Sequence, residues 1–397
     1  MLLSKTFSDA ASGVHYRDRK RALWLLSSAY PLAPALLIML GIVGNWPWLF
    51  WATPVLFYVG IFLLDHLFGE DLSNPPEDVV EAMHEDPYYR WVVFVAVPGH
   101  FVTLLLGAWA FTSGAFPIWS LVGLVWTVGI ISGLAINTGH ELGHKKTKLE
   151  RWMAKIVLAM PGYGHFFIEH NKGHHRDVAT PEDPASSRLG ENFYRFAFTR
   201  EIPLTMRRAW NIERERLSRI GKPTLSLENE IVQAGLMTVV LYIGVTVFFG
   251  WLALPFLFMQ AFLGYMLLSQ ANYIEHYGLC RQRGKDGRYE RPRPEHSWNT
   301  NHLVSNLVLF QLQRHSDHHA NPTRRYQALR NFEGLPQLPS GYPGMFMAAL
   351  VPPLWRRIMD ERVAELYGHD MRLANVLPER RDEIFARLHR PAEEVAQ

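Results

Sequence analysis

Nine histidines fall in four tight groups along this chain. They are His140 and His144 in HELGH, His170, His174 and His175 in EHNKGHH, His276 in EHYG, and His315, His318 and His319 in HSDHH. Imidazole is the commonest neutral metal ligand. One metal seldom takes more than four or five such ligands, so nine suit two transition metals with positions left vacant. His140 and His144 are four apart, which is one helix face. His170 and His174 repeat that spacing, and His315 and His318, three apart, also suit one face. Metal-bound imidazoles usually donate their second N–H to a carboxylate or carbonyl. Glu141, Glu169, Asp177, Asp183, Glu275 and Asp317, with Asn137, Asn272 and His302, are the candidates for that role. HELGH also matches the H-E-x-x-H pattern of zinc proteases. In that reading Glu141 is the base, but a single zinc has no use for seven more histidines.

These groups lie among long apolar stretches. The chain has 397 residues, 48% of them hydrophobic, with a net charge of +3. Its mean hydropathy is only -0.04 because very apolar and very polar blocks alternate. The charge is too small to suggest nucleic acid. The single cysteine, Cys280, excludes an intrachain disulfide and any four-cysteine zinc or iron–sulfur site within this sequence.

A membrane-spanning helix needs about 20 mostly apolar residues. Six stretches qualify, near 22–44, 46–68, 91–113, 116–138, 231–252 and 254–275. They pair into three hairpins whose short links carry no Lys or Arg. The opposite side is basic, with Arg17 to Arg21, Lys145, Lys146, Lys148, Arg151 and the arginines of 191–230. The positive-inside rule then places both termini and every histidine group in the cytosol. The basic N-terminal cluster before the first apolar run reads as an uncleaved anchor rather than a signal peptide. The expected fold class is an all-α integral membrane protein, six transmembrane helices with a cytosolic cap holding a histidine-rich dimetal site. Residues 1–21 are expected to form a cytosolic N-terminal segment. Residues 22–360 form the catalytic domain, with cytosolic loops 139–230 and 276–360. Residues 361–397 form a polar tail or linker. Residues 152–168 read as a re-entrant or interfacial segment, being apolar but broken by Pro161 and glycines.

The motifs NTGHELGHK, GHFFIEHNKGHHRDVATPEDPA, ANYIEHYGL and SNLVLFQLQRHSDHHANPTRRYQ resemble those of the transmembrane alkane monooxygenases. These belong to the histidine-box superfamily with membrane fatty-acid desaturases and xylene monooxygenases. The resemblance spans roughly residues 20–360, and NYIEHYG separates the alkane and xylene branch from ordinary desaturases. It implies a non-haem diiron centre (two Fe) held by the nine histidines, with O2 as co-substrate. It implies a bacterial inner-membrane enzyme that converts the terminal methyl of n-alkanes to a primary alcohol. Electrons would come from rubredoxin, separate or fused, reduced by rubredoxin reductase. The alternatives are a related desaturase, a fatty-acyl hydroxylase or xylene methyl hydroxylase, or an intramembrane zinc protease.

An alkane has no polar handle, so its recognition must rest on apolar burial, about 0.8 kcal/mol per CH₂. Trp51, Phe57, Tyr58, Phe262, Tyr265 and Met266 are candidate channel residues on the second and sixth spans. Arg281, Arg283, Lys285, Arg314, Arg324 and Arg325 are candidates for docking an acidic electron donor.

Overall fold

The computed structural model describes residues 4–390. Residues 1–3 of the expected N-terminal segment and 391–397 of the expected tail lie outside that range. A small hairpin, β1 (Lys5–Ser8) and β2 (His15–Asp18), comes first. Helices follow: α1 (Leu25–Val43), α2 (Pro47–Phe68), α3 (Pro87–Thr112), α4 (Ile118–Gly143) and α5 (Lys148–Ala159). Next, Phe166–Glu169, His170–His174 and His175–Asp177 run on as one helical stretch, α6. Then come α7 (Ile202–Arg219), α8 (Glu230–Phe249), α9 (Ala253–His276), α10 (Leu303–Val308), α11 (His315–Ala320), α12 (Tyr342–Ala349), α13 (Pro352–Leu366) and α14 (Arg381–Leu388).

Six of these, α1, α2, α3, α4, α8 and α9, are long and apolar enough to cross a membrane. They match the six stretches expected from the sequence, and the chain is a multi-pass membrane protein. The heart of the bundle is the pair α4 and α9. Glycines let the two backbones approach closely, as small residues do between membrane helices. A Cβ at Gly129 would meet Leu263, one at Gly133 would meet Leu267, and one at Gly264 would meet Ser132. Ser132 also donates a hydrogen bond to Gln260 across this seam. His100 of α3 is a helix-packing histidine, with Nε2 2.9 Å from Thr138 Oγ1 of α4. By contrast α8 stands at the periphery, with Val240, Val247 and Phe248 exposed as lipid-facing side chains would be.

Polar residues pin the ends. Asp86 caps α3 by accepting from the Tyr88 N–H, and it is also held by Arg21 and Lys5, each at 2.8 Å. Such a cap satisfies a donor that the first helical turn otherwise leaves open. Asp65, buried in α2, accepts from the Ser305 N–H at 2.9 Å and so ties that span to α10. The 152–168 region, expected to be re-entrant or interfacial, is mostly helical. It is amphipathic α5, a turn with Gly162 at φ 69°, and the start of α6. Leu158 of α5 packs where Gly139 leaves room on α4.

The expected polar tail is corrected. Residues 361–390 fold back onto the segments that follow α6 and α9. Leu189 N–H donates to the Asn375 carbonyl at 2.7 Å, Asn375 N–H donates to the Gly278 carbonyl at 2.9 Å, and Ile384 of α14 is fully buried. Regularly spaced apolar residues, hidden among many charges, carry this packing.

Overpacking a close helix seam costs typically 1–3 kcal/mol. Gly133→Val, which drives a branched side chain into Leu267, is expected to lower the thermal midpoint in detergent. An unchanged midpoint would mean that α4 and α9 are not packed as closely as described.

Candidate metal centre

α4 does not stop at the membrane thickness. It runs on to Gly143, so His140 lies in its last turn and His144 caps it. α9 ends at His276. α6 and α11 carry the other two groups. Between α10 and α11 the chain turns through Phe310 and Gln311, both left-handed at φ 53° and 55°. Such paired strain persists only where the surroundings fix it. Here Gln311 Nε2 donates to Leu329 O at 2.5 Å, and Gln313 Nε2 donates to Ser305 Oγ at 2.7 Å.

All nine histidines converge, in two sets. His140, His144, His170, His175 and His318 bring their ring nitrogens within 4.8 Å of one another, and so do His174, His276, His315 and His319. The division departs from simple helical spacing. His170–His174 forms a π turn, closed by His175 N–H to His170 O. That wider turn puts residues five apart together, and His170 Nε2 lies 3.1 Å from His175 Nε2. His174 is rotated into the other set. On α11, His315 pairs with His319, four apart at 2.9 Å, while His318 faces His140 at 2.9 Å. A one-turn π bulge inside a helix is frequent at functional sites.

A neutral imidazole has one N–H to give. His175 Nε2 sits 3.1 Å from both His170 and His318 Nε2, and His318 in turn contacts His140. Donation among rings cannot satisfy such a knot. Nε2 of His144, His174 and His276 is buried without any hydrogen-bond partner. A cation at the focus of each set would satisfy these lone pairs. Burial first, then neighbouring rings, pushes His144, His170, His175, His315, His318 and His319 well below the ordinary imidazole value. They are therefore neutral, as metal ligation requires. The donor set fits metal binding.

His174 differs. Burial works against its charge, but Asp183 and Glu169 together raise its pKa. Asp183 Oδ2 lies 2.8 Å from His174 Nδ1. Asp183 is held in turn by Arg208 at 2.7 Å and by Ser186 at 2.6 Å. His276 Nδ1 donates to the carbonyl of His296 at 3.2 Å, so the backbone of His296, not its ring, serves the site. Glu275 Oε2 lies 3.2 Å from His315 Nε2, and Glu275 accepts from Tyr342 at 2.8 Å.

The other candidates stand elsewhere. Glu141 pairs with Lys145 at 3.0 Å and accepts from Tyr326 N–H, so it does not present a base to the imidazoles. The zinc-protease alternative loses its key residue. Glu169 and Asp177 bind Arg208. Asp317 accepts from Asn321 and from Arg330 N–H, and His302 meets Thr300 and Glu70. Arg208, Tyr342 and Glu201, which organise this region, carried no spacing signal in the sequence.

On the membrane side of the imidazoles lies a narrow cavity of about 40 Å³. Phe57, Leu134, Leu267, Leu309, Leu312 and Phe346 form much of its apolar wall, and His140, His170 and His315 its metal end. Asn137, Asn272 and Glu275 also reach it. Of the six channel candidates, only Phe57 lines this space. Tyr58, Phe262 and Met266 line a lateral groove, and Tyr265 lines another groove beside α8. Trp51 packs on Trp126 and donates to Trp119 O, touching neither space. Among the proposed docking cations, Arg281, Arg314 and Arg324 are buried, and Arg325 pairs with Glu150.

A fatty acid desaturase family model matches residues 113–349. Alkane 1-monooxygenase of Pseudomonas putida is 52% identical over 360 residues, 91% of this chain and 89% of that protein. Alkane 1-monooxygenase 1 of Alcanivorax borkumensis is 52% identical over 369 residues, covering 92% and 91%. The chain belongs to the alkane 1-monooxygenase family. A more distant relative is the xylene/toluene monooxygenase hydroxylase component of Pseudomonas putida, 25% identical over 322 residues, 79% of this chain and 81% of that protein. The sequence resemblance thus holds along most of the chain.

Partners behind a ligating histidine typically carry 10–100-fold in metal affinity. Asp183→Asn is expected to raise the metal dissociation constant by about that factor, read by competition with a chelator. Retained affinity would mean that His174 does not depend on this carboxylate.

Proposed function

We propose that this chain is a membrane monooxygenase that converts the terminal methyl of medium- and long-chain n-alkanes to a 1-alkanol. In the reaction one oxygen atom of O2 enters a terminal C–H bond and the other leaves as water, with two electrons and two protons taken up. The observation that carries this reading is the convergence of nine imidazoles at the end of an apolar cavity between spans, in a chain of this family. His140, His144, His170, His175 and His318 would hold one iron, and His174, His276, His315 and His319 the other. Such a pair of irons, when bound, supplies activation of dioxygen.

The protein's own residues do the rest. The apolar wall binds the chain by burial and excludes water, so the cavity favours a ligand with no polar groups. Leu267 lines both the central cavity and the lateral groove of Tyr58, Trp126, Phe262 and Met266. An alkane dissolved in the bilayer would pass along that groove, by Leu267, and stop with its methyl toward the imidazoles. Phe57 stands in the cavity wall against Tyr58 and Phe346 and would limit how much chain fits.

Basic residues on the histidine side support a cytosolic location for the cluster and both termini, in a bacterial inner membrane. Electrons would come from rubredoxin, fused or separate, recharged by its reductase. The groove outside His174 and Asp183 is lined by Arg176, Arg188, Arg200, Arg207 and Arg208 together with Glu182 and Glu215, and its arginines outnumber its carboxylates as an acidic carrier would require.

The purified protein, supplied with iron, dodecane, rubredoxin, rubredoxin reductase, NADH and isotopically labelled dioxygen, is expected to yield labelled 1-dodecanol. Unlabelled alcohol, or none, would reject the reading. Phe57→Ala is expected to move the product profile toward longer alkanes. Each added methylene that finds room gains about 0.8 kcal/mol of burial. An unchanged profile would remove Phe57 from chain-length control.

A further inference from the structure

Two asparagines reach the cavity, each about one helical turn before a histidine of the cluster. Asn137 precedes His140 on α4, and Asn272 precedes His276 on α9. In both, the amide nitrogen is tied back. Asn137 Nδ2 donates to Leu309 O at 2.8 Å, and Asn272 Nδ2 donates to Glu201 Oε1 at 3.2 Å. A carbonyl and an ionised carboxylate can only accept. Each partner therefore fixes the amide so that its oxygen is left over. Asn137 Oδ1 is buried with no partner.

Glu201 is an unusual anchor. It is 1% exposed and ends a π turn, Phe196–Glu201, just before α7. Its carboxyl accepts from Ser269 Oγ at 2.5 Å and Tyr163 OH at 3.2 Å, besides Asn272. Among the described residues it has no Lys, Arg or His within ion-pair distance.

We propose that Glu201 is a positioning residue that fixes which end of the Asn272 amide faces the cavity. The two asparagine oxygens so presented form a subsite for the hydroxyl of the 1-alkanol product. The inference rests on the proposed alkane hydroxylation for the identity of that alcohol. The substrate has no donor for these acceptors, whereas the product has one. The subsite is thus blind to the alkane and responds once oxygen has been inserted.

The anchor also titrates. Burial raises the Glu201 pKa to about 7, with Glu169 adding to the rise and Ser269, Tyr163 and Asn272 opposing it. Glu169, on α6, is itself bonded to Arg208 of α7, Tyr163 comes from the turn after α5, and Ser269 and Asn272 come from α9. Above that pKa the carboxylate holds the amide nitrogen. Below it the protonated carboxyl can donate to Asn272 Oδ1, and the amide is free to turn its nitrogen to the cavity.

The test compares 1-decanol with methyl nonyl ether, which has one oxygen and no O–H. Neither ligand titrates. Binding is measured by calorimetry on the iron-loaded protein in nanodiscs. Wild type is expected to prefer the alcohol by roughly three- to tenfold above pH 7, the scale of one net hydrogen bond. That preference falls as pH drops through about 7. An infrared band of a protonated carboxyl appears over the same range. In Glu201→Gln, whose amide can donate or accept, the preference is expected to be small and flat with pH, and the titrating band absent. Asn272→Val is expected to reduce the preference likewise. Should the variants fail to fold, the wild-type titration alone decides. A preference independent of pH, or a Glu201→Gln protein that keeps the wild-type titration, overturns the inference. If dodecane is hydroxylated and the preference is flat, the inference alone fails. If the preference titrates and no alkane is hydroxylated, the proposed function fails instead.

Discussion

Nine imidazoles packed side by side, nearly all of them buried, are the constraint on which this structure depends. A charged ring in such a knot would repel its neighbours in a medium that screens poorly. Burial and mutual proximity keep six of the loop-borne rings well below their ordinary pKa, and only His174, facing Asp183, is drawn the other way. Their unshared lone pairs are costly to bury without a partner. The surrounding protein must therefore hold the rings against their tendency to part. It does so with rigid parts: two long helices, a π turn, and a strained link at Phe310 and Gln311 locked by side-chain amides.

Much of that arrangement was legible in the sequence because its signals are local. Apolar runs of spanning length, glycines where helices touch, and clustered histidines each follow from the physics of one segment. The sorting of the rings into two sets was not legible. His170 and His174 have the spacing of one α-helical face, but a single extra residue in the turn pairs His170 with His175. Nothing in HNKGHH announces that bulge, since its cause is the fit to three other segments. The acidic residues misled for the same reason. Adjacency to a histidine in sequence put Glu141 and Asp317 among the candidates, but neighbours on a helix point in different directions. Asp183, eight residues beyond His175, and Glu275, beside His276 but facing His315, are the candidates that reach ring nitrogens of the cluster. Arg208 could not be found at all from spacing. It acts from α7, binding Glu169, Asp177 and Asp183 together.

The tail shows a second limit. Residues 361–390 are rich in charge, which reads as a solvated segment. Yet few buried apolar positions are needed to dock such a segment, and Val363, Met371, Ile384 and Leu388 supply them. Asp360 bonds Tyr277, the residue after His276, so this region braces the end of α9 from below. Charge content alone therefore says little about whether a terminal segment packs.

The cavity follows from what its occupant lacks. A hydrocarbon cannot be oriented by hydrogen bonds, so shape must do all the positioning, and every polar atom on the wall is a desolvation cost with no return from the substrate. The wall is accordingly apolar over most of its length, with polar side chains among those that meet the imidazoles. The structure ties each of these back: Asn137 to a carbonyl, Asn272 to Glu201, Glu275 to Tyr342. Polarity confined to the reacting end leaves an incoming chain a single favourable direction. The apolar body stays in the apolar part, and the terminal carbon is the atom that must approach the imidazoles. Selectivity for a chain end over its middle then arises from an apolar cavity with one polar end, without any contact that recognises a methyl group as such.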